Sequence, residues 1–301
     1  MKKKQSKLQN SGYILLHKSF IEWLQLLNYS PLSIPVLSSP VYEFLQYQES
    51  TGKLSLEQLA ATDANNFIEL LQTQTGKRTG KPLSSGHINK QIQSLKLFSR
   101  YIRQSGRSIV GFSLRRLEQR RSKPVWLTEH EMQQLYEAIP DTILGARDKA
   151  MLAVYYGCGL RLNEGASLEL DDIDSARKVL HVRKGKHYKE RFVPVAQKNF
   201  EEIKLYLQYG RPQLLQEYKT EAIFIDANKG HPMQKQSLYV RIKKLVKKAQ
   251  IKNKVGTHTL RHSIATHLLQ SGMKLERIQQ FLGHSNLDST QIYTHLKNET
   301  L

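Results

Sequence analysis

Arg115-Arg116-Leu117-Glu118-Gln119-Arg120-Arg121-Ser122-Lys123-Pro124 runs directly into Val125-Trp126-Leu127-Thr128-Glu129-His130-Glu131-Met132, and the change of character between the two stretches divides the chain. The first is a basic run without apolar periodicity that ends in a helix breaker, the composition of an interdomain linker. The second opens a helix, because Thr128 and Glu131 make a capping box and Leu127 can staple onto Met132. The expected organisation is a first domain over 1–113, a basic linker over 114–124 and a second domain over 125–301.

Upstream of the linker the periodicity is helical. Tyr13 to Leu27 and Leu56 to Leu71 carry apolar residues at three- and four-residue steps, separated by a loop expected over Pro31–Pro40. Ile88, Ile92, Leu95, Phe98 and Ile102 form an apolar stripe, while Lys96, Arg100 and Arg103 follow the same steps on another face. That second face suits the phosphates of a polyanion, and equally a solvated surface. Nothing in 1–110 looks catalytic.

Downstream, a helix from Thr128 ends before Pro140, and an apolar helix from Ala146 to Tyr156 leads to Gly157 and Gly159. The convincing strand signal is Val179–Arg183 and Arg191–Val195, joined by the basic turn 184–190. Helical pattern then returns at 198–209, 236–249, 259–270, 274–282 and 289–297. The fold class is therefore mostly α with a small antiparallel β-sheet in the C-terminal domain.

Composition narrows the function. With 301 residues, 39% of them hydrophobic, the chain can bury two ordinary cores. Its 46 lysines and arginines against 26 acids give +20, a self-repulsion that makes a polyanion the natural partner. The charge is densest over 74–123, with 13 basic residues and the single acid Glu118. Lys90, Lys96, Arg100, Arg103, Arg115, Arg116, Arg120, Arg121 and Lys123 of this stretch are the candidate DNA contacts. One cysteine, Cys158, permits no internal disulfide and no cysteine cage for a metal, and reads as a small buried residue. No window approaches the apolar length that spans a bilayer, and no signal-peptide core follows the basic N-terminus. A cytoplasmic, nucleoid-associated setting with no membrane partner is the expectation.

Four separated pieces of the second domain carry chemistry: Gly159-Leu160-Arg161-Leu162-Asn163-Glu164, the turn with Lys186, His258-Thr259-Leu260-Arg261-His262, and Leu282-Gly283-His284-Ser285 continuing to Tyr293-Thr294-His295. Each alone is weak. If they converge, two arginines can fork onto one phosphate and stabilise a pentacoordinate transition state. Histidine can accept a nucleophile's proton, lysine can protonate a departing alkoxide, and a tyrosine amid such charge becomes a competent attacking group. The product would be a phosphotyrosyl link that conserves the phosphodiester energy, so neither ATP nor a metal is needed and no cofactor is expected.

These segments, in this order and spacing from about Leu127 to His295, resemble the active-site boxes of the tyrosine recombinase (lambda-integrase-like) family, nearest to Xer-type recombinases and compact mobile-element integrases. The resemblance implies a helical core-binding domain and a mixed catalytic domain. It implies Tyr293 as nucleophile, Arg161 and Arg261 as phosphate clamp, Lys186 as general acid, His258 as general acid/base and His284 as a hydrogen-bond donor to the scissile phosphate. Glu164, one turn after Arg161, would buttress the site. Double-stranded DNA is the implied partner, held by a tetramer on two sites, with room for a second recombinase or an accessory protein. Cleavage and rejoining would pass through a 3′-phosphotyrosyl intermediate and a Holliday junction, for integration, excision, inversion or resolution of chromosome dimers.

Two departures from the family pattern bear on this. A glycine commonly follows the hairpin lysine, whereas His187 and Tyr188 do so here, which keeps Lys184 and Lys189 open as alternative acids. Eight residues follow Tyr293, fewer than the tail through which many Xer-type proteins dock a C-terminal helix, so a shorter docking element or a contact elsewhere is expected. Among rivals, a metal hydrolase would use His258, His262 and His267, but it lacks the glutamate of a His-Glu-x-x-His box and places Arg261 beside the ion. A type IB topoisomerase shares the chemistry, and a non-catalytic DNA-binding protein shares the charge.

Overall fold

The structure, a computed structural model, describes residues 7–76, 79–107, 111–119, 125–183 and 190–283. The chain forms two compact units, Met1–Arg121 and Ser122–Leu301, each with its own core.

The first unit is built on four helices: α1 (Ser11–Leu26), α2 (Ser33–Ser50), α3 (Asp63–Thr73) and α4 (Ser85–Gln104). Asn10 and Ser84 cap α1 and α4 by accepting the Tyr13 and His87 amides, so each helix starts where a side chain can replace a missing carbonyl. Phe20 of α1 meets Phe98 of α4 edge-on at 5.4 Å, and Phe44 of α2 bridges to Phe67 and Phe112. The loop expected over Pro31–Pro40 is largely helix instead. Pro35 falls in the first turn of α2, where its missing N–H has no intrahelical role, and Pro40 forfeits a single bond while Ile34, Val41, Phe44 and Leu45 are buried. The stretch 56–71 divides into a 3₁₀ turn, Leu56–Gln58, and α3, which starts at Asp63.

Residues 111–119, which include the start of the expected linker, run along α4. Phe112 and Leu114 are buried in the first core, the Phe112 amide donates to Ser99 Oγ at 2.8 Å, and Asn89 pairs both ways with the backbone of Leu117. Apolar positions two and three apart were sufficient to dock a segment whose charge reads as linker. Arg120, Arg121 and Lys123 lie outside the described residues.

The second unit opens with α5 (Glu129–Glu137), whose capping box is formed as expected: the Thr128 amide donates to Glu131 Oε2 and the Glu131 amide to Thr128 Oγ1. There follow α6 (Ile143–Leu152), α7 (Leu162–Ala166), β1 (Ile173–Asp174), β2 (Val179–Val182), β3 (Arg191–Pro194), α8 (Gln197–Leu205), α9 (Arg211–Leu215), α10 (Lys235–Lys248), α11 (Thr257–Gln270) and α12 (Leu275–Leu282). The antiparallel sheet has the order β1-β2-β3, with Leu180 opposite Val193 and Val182 opposite Arg191. Leu180, Val182 and Val193 face the core while His181 stacks on the exposed Phe192 ring at 4.7 Å. Asp148 of α6, fully buried, takes the Arg241 guanidinium of α10 at 2.8 Å, and the Leu127 amide donates to Ser263 Oγ of α11. Among the described residues no helix is long and apolar enough to cross a membrane. The helix expected over 289–297 lies outside them.

Candidate active site

The site begins where α6 ends. The helix widens into a π turn, Ala153–Gly157, closed by the Cys158 amide on the Ala153 carbonyl at 2.9 Å. Gly159 then turns the chain at φ +59°, and a β-carbon there would stand 2.8 Å from Leu282 Cδ2, so glycine is required by both backbone and space. The turn sinks Leu160 into the core and delivers Arg161 as the residue capping α7. Cys158 is fully buried, and burial pushes its thiol up to about 12, which makes it a packing residue.

Glu164 is the hub. Its carboxylate, 3% exposed, accepts the Arg161 amide at 2.9 Å and Arg161 Nη1 at 2.8 Å. Arg191, the first residue of β3, forks onto both carboxylate oxygens at 3.1 and 2.9 Å. Arg261 Nη1 lies 3.9 Å from Oε2. Burial by itself would raise the Glu164 carboxyl; the hydrogen bonds and charge of Arg191, then the amide and guanidinium of Arg161, overcome it and hold the group down at about 2. The carboxylate is thus ionised across the working range of a cell.

Each arginine also grips backbone. Arg261, 4% exposed, donates from Nη1 to the Gly159 carbonyl and from Nη2 to the Leu282 carbonyl, both at 2.5 Å. Arg161 Nη2 reaches the Gly283 carbonyl at 3.3 Å and Arg191 Nε the Phe281 carbonyl at 3.4 Å. Gly283 ends α12 at φ +64°, a left-handed cap that suits a glycine. Three guanidiniums around one carboxylate leave an excess of positive charge at a partly buried point. Such a point suits an oxyanion of phosphate type.

His258 sits at the start of α11, one turn before Arg261. Part of its ring meets solvent; the protein around the remainder, then the charges of Arg261 and Arg161, lower it below the ordinary imidazole value, so it stays neutral near pH 7. His267 is a packing residue whose Nδ1 bonds the Tyr156 hydroxyl at 2.9 Å. Arg161, Glu164 and Arg261 are therefore brought together with His258 beside them. Lys186, His284 and Tyr293, with the alternatives Lys184 and Lys189, lie outside the described residues. Arg191 was not singled out from the sequence. Its partner Glu164 lies 27 positions away in the chain, a separation at which no helical or strand spacing can signal contact.

The candidate DNA contacts that are described are exposed. Lys90, Lys96, Arg100 and Arg103 occupy the solvent face of α4, and Arg115 and Arg116 extend from the docked 111–119 segment. Arg100 lies over the Trp23 ring at 6.0 Å.

Comparison with known proteins agrees with this geometry. Residues 125–300 match the phage integrase family. Over 292 residues the chain is 35% identical to the tyrosine recombinase XerC of Oceanobacillus iheyensis, covering 94% of this chain and 92% of that protein. It is 44% identical over 180 residues to the tyrosine recombinase XerD of Proteus mirabilis, covering 59% and 57%. In fold it resembles the XerH site-specific recombinase bound to palindromic difH substrate in a post-cleavage complex, with a TM-score of 0.74 at 23% identity over 98% of this chain and 90% of that one. With a family match across more than half its length and a relative alike over nearly all of it, the chain belongs to the phage integrase family, among the tyrosine recombinases of Xer type.

Proposed function

We propose that this enzyme is a site-specific DNA recombinase in which Tyr293 attacks a phosphodiester held by Arg161 and Arg261. The observation that carries the reading is the buried Glu164 carboxylate with three guanidiniums around it and a neutral His258 one turn from Arg261. In the first step the Tyr293 hydroxyl passes its proton to His258 and its oxygen forms a bond to phosphorus. The bond from phosphorus to the 5′ oxygen breaks, and that oxygen leaves as a hydroxyl with a proton from Lys186. Arg161 and Arg261, with a hydrogen bond from His284, stabilise the extra charge of the pentacoordinate transition state. The 3′-phosphotyrosyl bond is then attacked by the 5′-hydroxyl of a partner strand, which regenerates the phenol and rejoins the DNA.

Four protomers on two duplex sites would exchange one pair of strands, form a Holliday junction and exchange the other pair. The exposed cations of α4 and of 111–119 would bind backbone phosphates, so affinity should fall steeply with salt. A second recombinase or an accessory protein fits the same scheme, in the cytoplasm where the chromosome lies.

The test is detergent trapping of covalent protein–DNA adducts on fragmented genomic DNA of the source organism, comparing the wild-type chain with Tyr293→Phe. Wild type should be captured at discrete sites and Tyr293→Phe should give no adduct while still binding DNA. Adducts with Tyr293→Phe would reassign the nucleophile. The captured sites also sort the biological roles: a single site in the replication terminus indicates resolution of chromosome dimers, whereas element ends or invertible promoters indicate mobile-element traffic.

A further inference from the structure

We propose that Arg191 is a positioning residue for strand cleavage, a three-way tie that fixes β3, Glu164 and the end of α12 in one register. The inference rests on the recombinase reading above.

Three of its donors are used on two separate elements. Nη1 and Nη2 take the two oxygens of Glu164 on α7, while Nε takes the Phe281 carbonyl in the last turn of α12. The side chain is also packed against the α12 cap: a β-carbon on Gly283 would stand 2.8 Å from Arg191 Cδ and 2.9 Å from Nε. Its backbone is held in turn, because Arg191 pairs with Val182 across the β2–β3 ladder. Each element it joins leads to a residue of the proposed chemistry. Glu164 holds Arg161, the last turn of α12 precedes His284, and β3 follows the segment that contains Lys186. The planar fork suits this task, since a lysine presents one point charge and cannot address a carboxylate edge-on while bonding a carbonyl with a third donor. Arg191 itself is assigned to Glu164 rather than to the phosphate, because its fork addresses both carboxylate oxygens edge-on.

This arrangement predicts a particular failure. Without Arg191, the clamp arginines and the two flanking segments lose their common anchor, so cleavage slows while DNA binding, which is dominated by many backbone phosphate contacts, persists. Loss of an orienting partner of this kind costs about 10- to 100-fold in activity.

The experiment uses the full chain and the duplex captured by wild type, synthesised with a sulfur replacing the bridging 5′ oxygen at the cleaved bond so that cleaved product accumulates. Binding is measured by gel shift, and first-order cleavage under single-turnover conditions, for Arg191→Met, Arg191→Lys, Glu164→Gln and the pair Arg191→Met with Glu164→Gln. The expected result is affinity within about threefold of wild type and cleavage slowed by about 10- to 100-fold in Arg191→Met. Arg191→Lys should recover only part of the rate, and the double variant should be no slower than the slower single one, as for groups acting through one another. Wild-type cleavage by Arg191→Met, full recovery with lysine, or losses that multiply in the double variant would each overturn the proposal. If Arg191→Met does not fold, as judged by its melting transition, Arg191→Lys carries the test by the same criterion. Cleavage by Tyr293→Phe on this duplex would instead sink the general reading, and a wild-type chain that forms no adduct sinks both.

Discussion

Arginine is used in two opposite ways in this molecule. On α4, Lys96, Arg100 and Arg103 stand on a solvent face opposite a mainly apolar buried one, and their charge faces water. Around Glu164, Arg161, Arg191 and Arg261 are partly or wholly buried, and every one is tied to a carboxylate and to backbone carbonyls. The first arrangement can move with whatever polyanion arrives, and it should act on affinity. The second is preorganised and should act on rate, because a charge that is already in place costs no reorganisation when the transition state forms. The two regions therefore predict separable phenotypes.

The largest separation is expected at Arg261. Arg261→Ala should slow single-turnover cleavage by about 10²–10³-fold, the cost of removing one preorganised donor, with DNA affinity changed far less. It should also destabilise the second unit, because the Gly159 and Leu282 carbonyls lose the donors they now have and each unsatisfied buried group costs about 1–3 kcal/mol. A variant that cleaves normally, or one that loses affinity and rate in equal proportion, would break the contrast.

Glu164 gives the next effect and sets its pH dependence. Its folded-state carboxyl lies at about 2 against an ordinary 4.5, so the folded state binds its proton less readily than the unfolded state. The stabilisation is fully present above about pH 4.5 and is lost as the pH falls toward 2; for this buried group it amounts to roughly 3 kcal/mol. Glu164→Gln should therefore be less stable than wild type at pH 7 and should lose the Glu164 share of the acid-induced decline, which equilibrium urea unfolding between pH 3 and 7 will read. An unchanged slope in Glu164→Gln would mean that the cluster is not held by this carboxylate. Cleavage has a different limb: His258 is lowered below its ordinary 6.5, so a rate that needs the neutral ring should fall only once the pH drops beneath that value.

The same contrast explains what could be read from the chain and what could not. The exposed cations of α4 were legible because a helix repeats every three to four residues, and Ile88 to Ile102 announce which face is inside. The strands of the hairpin were legible within a residue at each end because Val179 to Val182 and Arg191 to Pro194 alternate. That Glu164 buttresses the site was legible from the family resemblance and its place one turn after Arg161; that it holds Arg161 and Arg191 together is what the structure adds. Helix α2 was not: Pro31, Pro35 and Pro40 signal a loop locally, and only the burial of Phe44 and Leu45 in the tertiary core outweighs them. The docking of 111–119 was hidden by its charge, since Arg115 and Arg116 point to water while Phe112, Leu114 and Leu117 do the packing. Arg191 was hidden by distance along the chain, its contacts lying on α7 and at the end of α12.

The smallest effects belong to α4, and they sharpen the comparison by what they leave unchanged. Lys96→Ala, Arg100→Ala and Arg103→Ala combined should lower the slope of log affinity against log salt by about 0.9 for each phosphate contact removed, while cleavage at saturating DNA stays at the wild-type rate. Stability should change by no more than about 0.5 kcal/mol for Lys96 and Arg103, as for ordinary exposed sites. Arg100 should differ, because its guanidinium covers the Trp23 ring, and an exposed contact of that kind is worth about 0.5–1 kcal/mol. The single variants, measured by salt titration and by thermal unfolding, thus order themselves: equal in their effect on salt slope, unequal in melting temperature with Arg100→Ala lowest. A fall in saturated cleavage rate for any of them would move that residue from the exposed class of cations into the preorganised one.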